Sequence, residues 1–135
     1  MSIDLEIVSP EKLLLSKSAD MVVIPAAEGE MGVLPGHAPM IVLLRGGTIK
    51  LTVGGTVTDT LYVSGGFAEV TPTRVTVLAT EAVEVASLVR ADGESRLAAA
   101  EAEYAAADRF NTDALDIAQA KIQSARALIE AAPAA

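Results

Sequence analysis

The residue to weigh first for chemistry is His37, the single histidine of a chain that has no cysteine. Without cysteine, disulfides, thiolate metal sites and thiol nucleophiles are excluded together. His37 lies in Leu34-Pro35-Gly36-His37-Ala38-Pro39, where two prolines and a glycine predict a turn. There it could serve as a general base, touch a partner, or bond to nearby backbone as a polar turn residue. No serine stands in a nucleophile-elbow motif to use it. Glu28 and Glu30, on either side of Gly29, could supply half of an acid/base pair, but such residues more often form a solvated rim. Ser64-Gly65-Gly66 lacks both the Lys-Ser/Thr that completes a phosphate loop and the spacing of a dinucleotide fingerprint, so it reads as a turn. Asp92-Gly93-Glu94 lacks the remaining positions of a calcium loop. It reads instead as the charged first turn of a helix, where negative charge is favourable. A zinc site would need carboxylates for nearly all its ligands, which is rare. No catalytic, cofactor-binding or metal-ligating residue is assigned, and the residues point to a binding or structural module.

The elements that would position these residues fall into two groups with different periods. Thr48-Ile49-Lys50-Leu51-Thr52-Val53 alternates, with Ile49, Leu51 and Val53 on one face. After Gly54-Gly55 the stretch Thr56 to Val63 alternates again, with Val57, Leu61 and Val63 on one face. Two alternating runs around a two-glycine break predict a hairpin with a primed turn. Arg74 to Ala79 is a further strand. Short Val- and Thr-rich strands at regular spacing argue for an antiparallel sandwich or flattened barrel. From about residue 87 alanine dominates. Leu97, Ala100, Tyr104 and Ala107 form one helical stripe, and Leu115, Ala118, Ile122, Ala125 and Ile129 form a second. Asn111 or Thr112 would cap the second helix, and Pro133 lies past its end. The expected fold class is α+β, mainly β: a β-sandwich over residues 1–86 and a helical hairpin over residues 87–135. An alanine stripe buries little area per residue, so the hairpin should be only marginally stable alone.

Composition narrows the function classes. Hydrophobic residues make up 51% of the chain and aromatics 3%, so the core must be Val, Leu, Ile and Ala. No apolar run approaches the roughly 18 residues that cross a bilayer, so no direct membrane insertion is expected. The start, with Asp4 and Glu6 and no basic stretch, resembles neither a secretory signal nor a transit peptide and suggests a soluble cytosolic chain. A net charge of −8 repels phosphate backbones and argues against nucleic acid as a partner.

Two motifs go further. Glu28-Gly29-Glu30-Met31-Gly32-Val33-Leu34-Pro35-Gly36-His37-Ala38-Pro39 resembles a signature of the epsilon family of F-type ATP synthase subunits. Tyr62 to Val70 followed by Val75 to Ala79 resembles that family's second signature, in the expected order, and Leu5 to Glu11 is similar to the family's opening. The resemblance implies a sandwich of about ten strands followed by two helices. It also implies a non-catalytic rotor subunit of the central stalk, with no cofactor, peripheral on the cytoplasmic face of the bacterial inner membrane. Its partners would be the gamma subunit and the c-ring, within a proton-translocating complex that also holds alpha, beta and delta subunits. Glu30, Gly36 and His37 would touch gamma and the ring, and Gly32 and Gly36 would permit turns that a Cβ obstructs. The family's hairpin can extend into the catalytic head or bind ATP through an Ile/Leu-Asp-x-x-Arg-Ala motif. Here Arg90 and Ala91 match, but Ser87 replaces the aspartate, and Lys121 and Arg126 are outnumbered by Asp113, Asp116 and Glu130. Both departures predict weak nucleotide binding and weak inhibition. The competing readings are a hydrolase using His37 and Glu30, and an unrelated adaptor whose hairpin binds a partner helix.

Overall fold

The computed structural model describes residues 2–133. Ten strands come first: β1 (Ile3–Val8), β2 (Leu13–Ala19), β3 (Met21–Ala26), β4 (Gly29–Val33), β5 (Met40–Leu44), β6 (Gly47–Val53), β7 (Thr56–Val63), β8 (Gly66–Val70), β9 (Arg74–Leu78) and β10 (Ala82–Glu84). A 3-10 turn at Val85–Ser87 leads into helices α1 (Arg90–Ala106) and α2 (Thr112–Ala131). The strands pair in the order β10-β7-β6-β3-β5-β8-β9-β1-β2, with β4 beside β3. The only ladder pair between β3 and β5 is Ala26–Leu44, so the sheet folds there into two layers, a sandwich close to a barrel. Its core holds only Ile, Leu, Val and Ala, from Ile3, Leu5 and Ile7 through Ile49 and Leu51 to Val75 and Val77. All the pairings are antiparallel except β1 with β9, which is parallel.

The predicted β6–β7 hairpin forms, with Gly54 and Gly55 at φ 60° and 78° and Val53 opposite Thr56. Its register shifts between Leu51 and Thr52. Leu51 faces Asp59 but Thr52 faces Val57, and residues opposite each other share a face. Val57 therefore leaves the Leu61–Val63 face and lies 51% exposed, a correction to simple alternation. At the far end of β7 alternation fails for another reason: Leu61, Tyr62 and Val63 are all buried, because the sandwich core covers one face and the hairpin the other.

The helices lie antiparallel, with Gly93 against Leu128 and Ile129 and with Glu103 paired to Lys121. A Cβ at Gly93 would approach Ile129 to 2.7 Å, so this glycine belongs to the α1 stripe as a point of close approach. Asp92 sits in the first turn of α1, as expected for that acidic stretch. Ala107 of the predicted stripe falls one residue beyond the helix. Asn111 caps α2 by accepting from the Ala114 amide at 3.1 Å. The Arg109 guanidinium donates to the carbonyls of Tyr104 and Ala107 and lies 4.8 Å from the Tyr104 ring centre, which satisfies the end of α1.

Candidate functional site

The Glu28–Pro39 motif folds into a strand and a turn, and it separates the residues expected to act together. Glu30 is the second residue of β4, opposite Pro25 and exposed. It lines the cleft between sandwich and hairpin, together with Arg45, Lys50, Gln123 and Arg126. Gly36 and His37 lie beyond the other end of β4, in the turn Leu34-Pro35-Gly36-His37. The His37 amide donates to the Leu34 carbonyl at 3.2 Å, and Gly36 takes φ 88°. Proline followed by a positive-φ glycine is the pattern of a type II turn. The Gly36 amide donates to the Pro72 carbonyl at 2.7 Å, which ties the turn to the β8–β9 connection. His37 is half-buried, and its Nδ1 lies 2.8 Å from the Ala38 carbonyl, to which it can only donate. Gly36 and His37 thus share a turn, while Glu30 belongs to a different surface.

The expectation that Gly32 permits a turn is corrected. It lies inside β4 opposite Val23, its φ is not positive, and a Cβ there would meet only Met21 Sδ at an ordinary 3.6 Å. At Gly36 nothing lies within 4 Å of a Cβ, so the demand for glycine comes from the backbone rather than from crowding.

A surface absent from the motif reading is more extensive. The register sets Leu43 opposite Phe67, Phe67 opposite Leu78, Leu78 opposite Val8, and Val8 opposite Leu13. These five apolar residues form one row across β5, β8, β9, β1 and β2, on the face turned away from the core. Leu43 is 67% exposed, Leu13 55%, Phe67 46% and Leu78 36%. Five strands at about 4.8 Å spacing make the row roughly 19 Å long. The shift between Ile7 and Val8 helps build it: Leu14 and Leu15 pack on the core while Leu13 turns outward. Ile41, 75% exposed, extends the apolar area beside Leu43. A continuous exposed apolar stripe marks a docking surface.

The hairpin has its own seat on the opposite layer, made mostly of polar contacts. Gln123 accepts from the Gly46 amide at 2.9 Å and donates to the Gly46 carbonyl at 2.6 Å. The buried Tyr62 hydroxyl donates to the Ser124 carbonyl at 2.9 Å and meets the Ser124 hydroxyl at 2.6 Å. Burial pushes the Tyr62 phenol up from its ordinary pKa, with the Ser124 bond opposing, so it stays a neutral donor. Arg96 of α1 grips Glu81, before β10, through two bonds of 2.7 and 2.8 Å. These bonds hold the Glu81 carboxyl below its usual range and the guanidinium above its own. Of these residues only Tyr62 belongs to a motif that sequence singled out, and none was assigned a role. The buried Ser124 lies next to the predicted stripe residue Ala125, on the flank of α2 that meets the sandwich.

Glu28 and Glu30 are exposed. Among the described residues no three or more His, Asp or Glu side chains are grouped closely enough to hold a metal ion, and no helix is long and apolar enough to cross a membrane. The arrangement leaves the apolar row open for docking, while the hairpin covers the other layer.

The family model described as "ATP synthase, Delta/Epsilon chain, beta-sandwich domain" matches residues 2–85. The chain is 66% identical over 128 residues to the ATP synthase epsilon chain of Granulibacter bethesdensis, covering 95% of each. It is 50% identical over 132 residues to the ATP synthase epsilon chain of Gluconacetobacter diazotrophicus, covering 98% of this chain and 94% of that one. Among solved structures it is similar to a chain of the Euglena gracilis mitochondrial ATP synthase, in an assembly that includes the c-ring. There the TM-score is 0.76 at 26% identity, over 96% of this chain and 81% of that one. A chain from the central stalk and c-ring of the Tetrahymena thermophila enzyme shares the fold, with TM-score 0.64 at 11% identity.

Proposed function

Because the chain belongs to the ATP synthase delta/epsilon family, we propose that it is a non-catalytic rotor subunit of a bacterial F-type ATP synthase, joining the gamma subunit to the c-ring on the cytoplasmic face of the membrane. The observation that carries this reading is the apolar row Leu43–Phe67–Leu78–Val8–Leu13, left in solvent by a sandwich whose core is already complete. Such a row is stable in solution only at a cost that a permanent partner removes. We assign it to gamma. The turn at Gly36 and His37 is assigned to the gamma and c-ring contact, and Glu30, on its own surface, to the same assembly. A two-layer sandwich suits the task of passing torque, because its close-packed interior resists shear.

The hairpin is assigned a quiet role. Arg90 lies 3.4 Å from Glu94 and Lys121 3.0 Å from Glu103, exposed pairs that reduce the local positive charge a phosphate or an acidic partner would meet. Ser87 supplies no carboxylate, and weak ATP binding and weak inhibition of hydrolysis follow.

Co-purification of the tagged chain from its own cells tests the assignment. Alpha, beta and gamma subunits should accompany it, and the double variant Leu43→Asp/Phe67→Asp should lose them while keeping its β circular dichroism. Recovery of the wild-type chain without gamma would refute the rotor reading.

A further inference from the structure

We propose that the partner surface seated on the apolar row carries basic side chains along the flank that meets Glu69; this rests on the gamma assignment and adds the chemistry of the contact. The row next to the apolar one runs Ile41, Glu69, Thr76, Glu6 and Ser16, again one residue from each strand. Beyond it come Arg74, Asp4 and Ser18. The apolar row is therefore bordered on this side by three carboxylates and one cation.

The local partners of these carboxylates differ. Asp4 accepts from the Ser18 hydroxyl at 2.6 Å, and Glu6 has Arg74 at 3.5 Å. Glu69 is exposed, its cross-strand neighbours Ile41 and Thr76 carry no charge, and it makes no ion pair among the described residues. A partner that covers Phe67 and Ile41 also covers Glu69, because Ile41 lies directly opposite it and Phe67 two residues before it on the same face. Removing an ionised carboxylate from water without a counter-charge is strongly unfavourable. Among the described residues the nearest cation by register is Arg74, diagonal to Glu69 and set at 3.5 Å from Glu6 instead, so the counter-charge for Glu69 is left to the partner. Gamma is thus expected to present an apolar stripe roughly 19 Å long with Lys or Arg along the flank that meets Glu69. The asymmetry fixes the orientation of docking, because a reversed partner would leave Glu69 buried alone.

Titration calorimetry of the full chain with its own gamma subunit, at low and high salt, tests this. The wild-type affinity should fall as salt rises. Glu69→Lys should weaken binding about tenfold at low salt and much less at high salt, with Glu69→Gln between them. Leu43→Ser should weaken binding similarly at both salt concentrations. Glu69 is exposed, so the variants should keep the wild-type melting temperature. Wild-type-like binding by Glu69→Lys at low salt, with Leu43→Ser impaired, would overturn the basic flank and leave the rotor reading standing. Absence of any binding between wild type and gamma would overturn both.

Discussion

Gly36 and His37 share one turn but are held by different forces. Gly36 occupies φ 88°, where a residue with a Cβ loses about 1–2 kcal/mol, and a β-branched one more. It also presents its amide to Pro72 at 2.7 Å, so distortion there would move the β8–β9 connection as well. His37 bonds to the adjacent Ala38 carbonyl, a local contact whose loss should cost about 1 kcal/mol or less. Gly36→Val is therefore expected to weaken assembly with gamma and the ring more than His37→Ala. Affinities of the two variants for the gamma–ring assembly decide it. A larger loss for His37→Ala would make His37 a central anchor of the contact.

At the scale of elements, the hairpin is seated by three polar contacts at separate places: Gly46 before β6, Tyr62 on β7 and Glu81 before β10. A Cβ on Gly46 would come within 2.5 Å of the Ser124 Cα, backbone that cannot yield unless α2 moves. Gly46→Val should release the hairpin from the sandwich, whereas Tyr62→Phe, which removes two hydrogen bonds to Ser124 without a clash, should cost about 1–3 kcal/mol. Amide exchange along residues 118–131 reads the difference: fast in Gly46→Val, intermediate in Tyr62→Phe. The Glu81–Arg96 clasp has a defined pH window. Because the folded Glu81 pKa lies below its unfolded value, the clasp contributes fully above the ordinary carboxylate pKa and is lost as pH falls through the lowered one. Between pH 6 and 8 the seat should therefore show no release that depends on Glu81. Protection of α2 that changes across that range and is abolished by Glu81→Gln would contradict this.

For the whole molecule, the separation of the two surfaces matters most. The apolar row runs along β5, β8, β9, β1 and β2, while the hairpin seat lies on β6, β7 and the segments that flank β10. The sandwich core cluster contains no residue of either helix. Removal of residues 87–135 is accordingly expected to leave a cooperatively folding β domain that binds gamma. It should melt at a lower temperature than the full chain, because Tyr62 loses its cover. Circular dichroism melts and a gamma pull-down check both parts, and a non-cooperative melt would defeat the two-domain division.

Local chemistry determined much of this protein in advance. Alternation around Gly54-Gly55 marked one hairpin, the change of period near residue 87 marked the helices, and Asn111 and Pro133 marked the limits of α2, because periods, caps and turns act within a few residues along the chain. The absence of cysteine excluded disulfides and thiol chemistry by composition alone. β1 alternates in the same way at Ile3, Leu5 and Ile7, but the strands β2 and β3 carried no such marks. β2 begins with three consecutive leucines, and β3 contains Pro25. Only the tertiary structure decided the rest, because it depends on register between segments distant in sequence. The five-residue apolar row exists only because five strands align at one level, and a slip of one residue in any of them would turn its member inward. The same holds for Glu69 beside that row, for Val57 displaced by the register shift, and for Tyr62 meeting Ser124 across 62 residues of chain. Glu30 and His37, close in one motif, were parted for the corresponding reason: a strand between them carries its two ends to different surfaces.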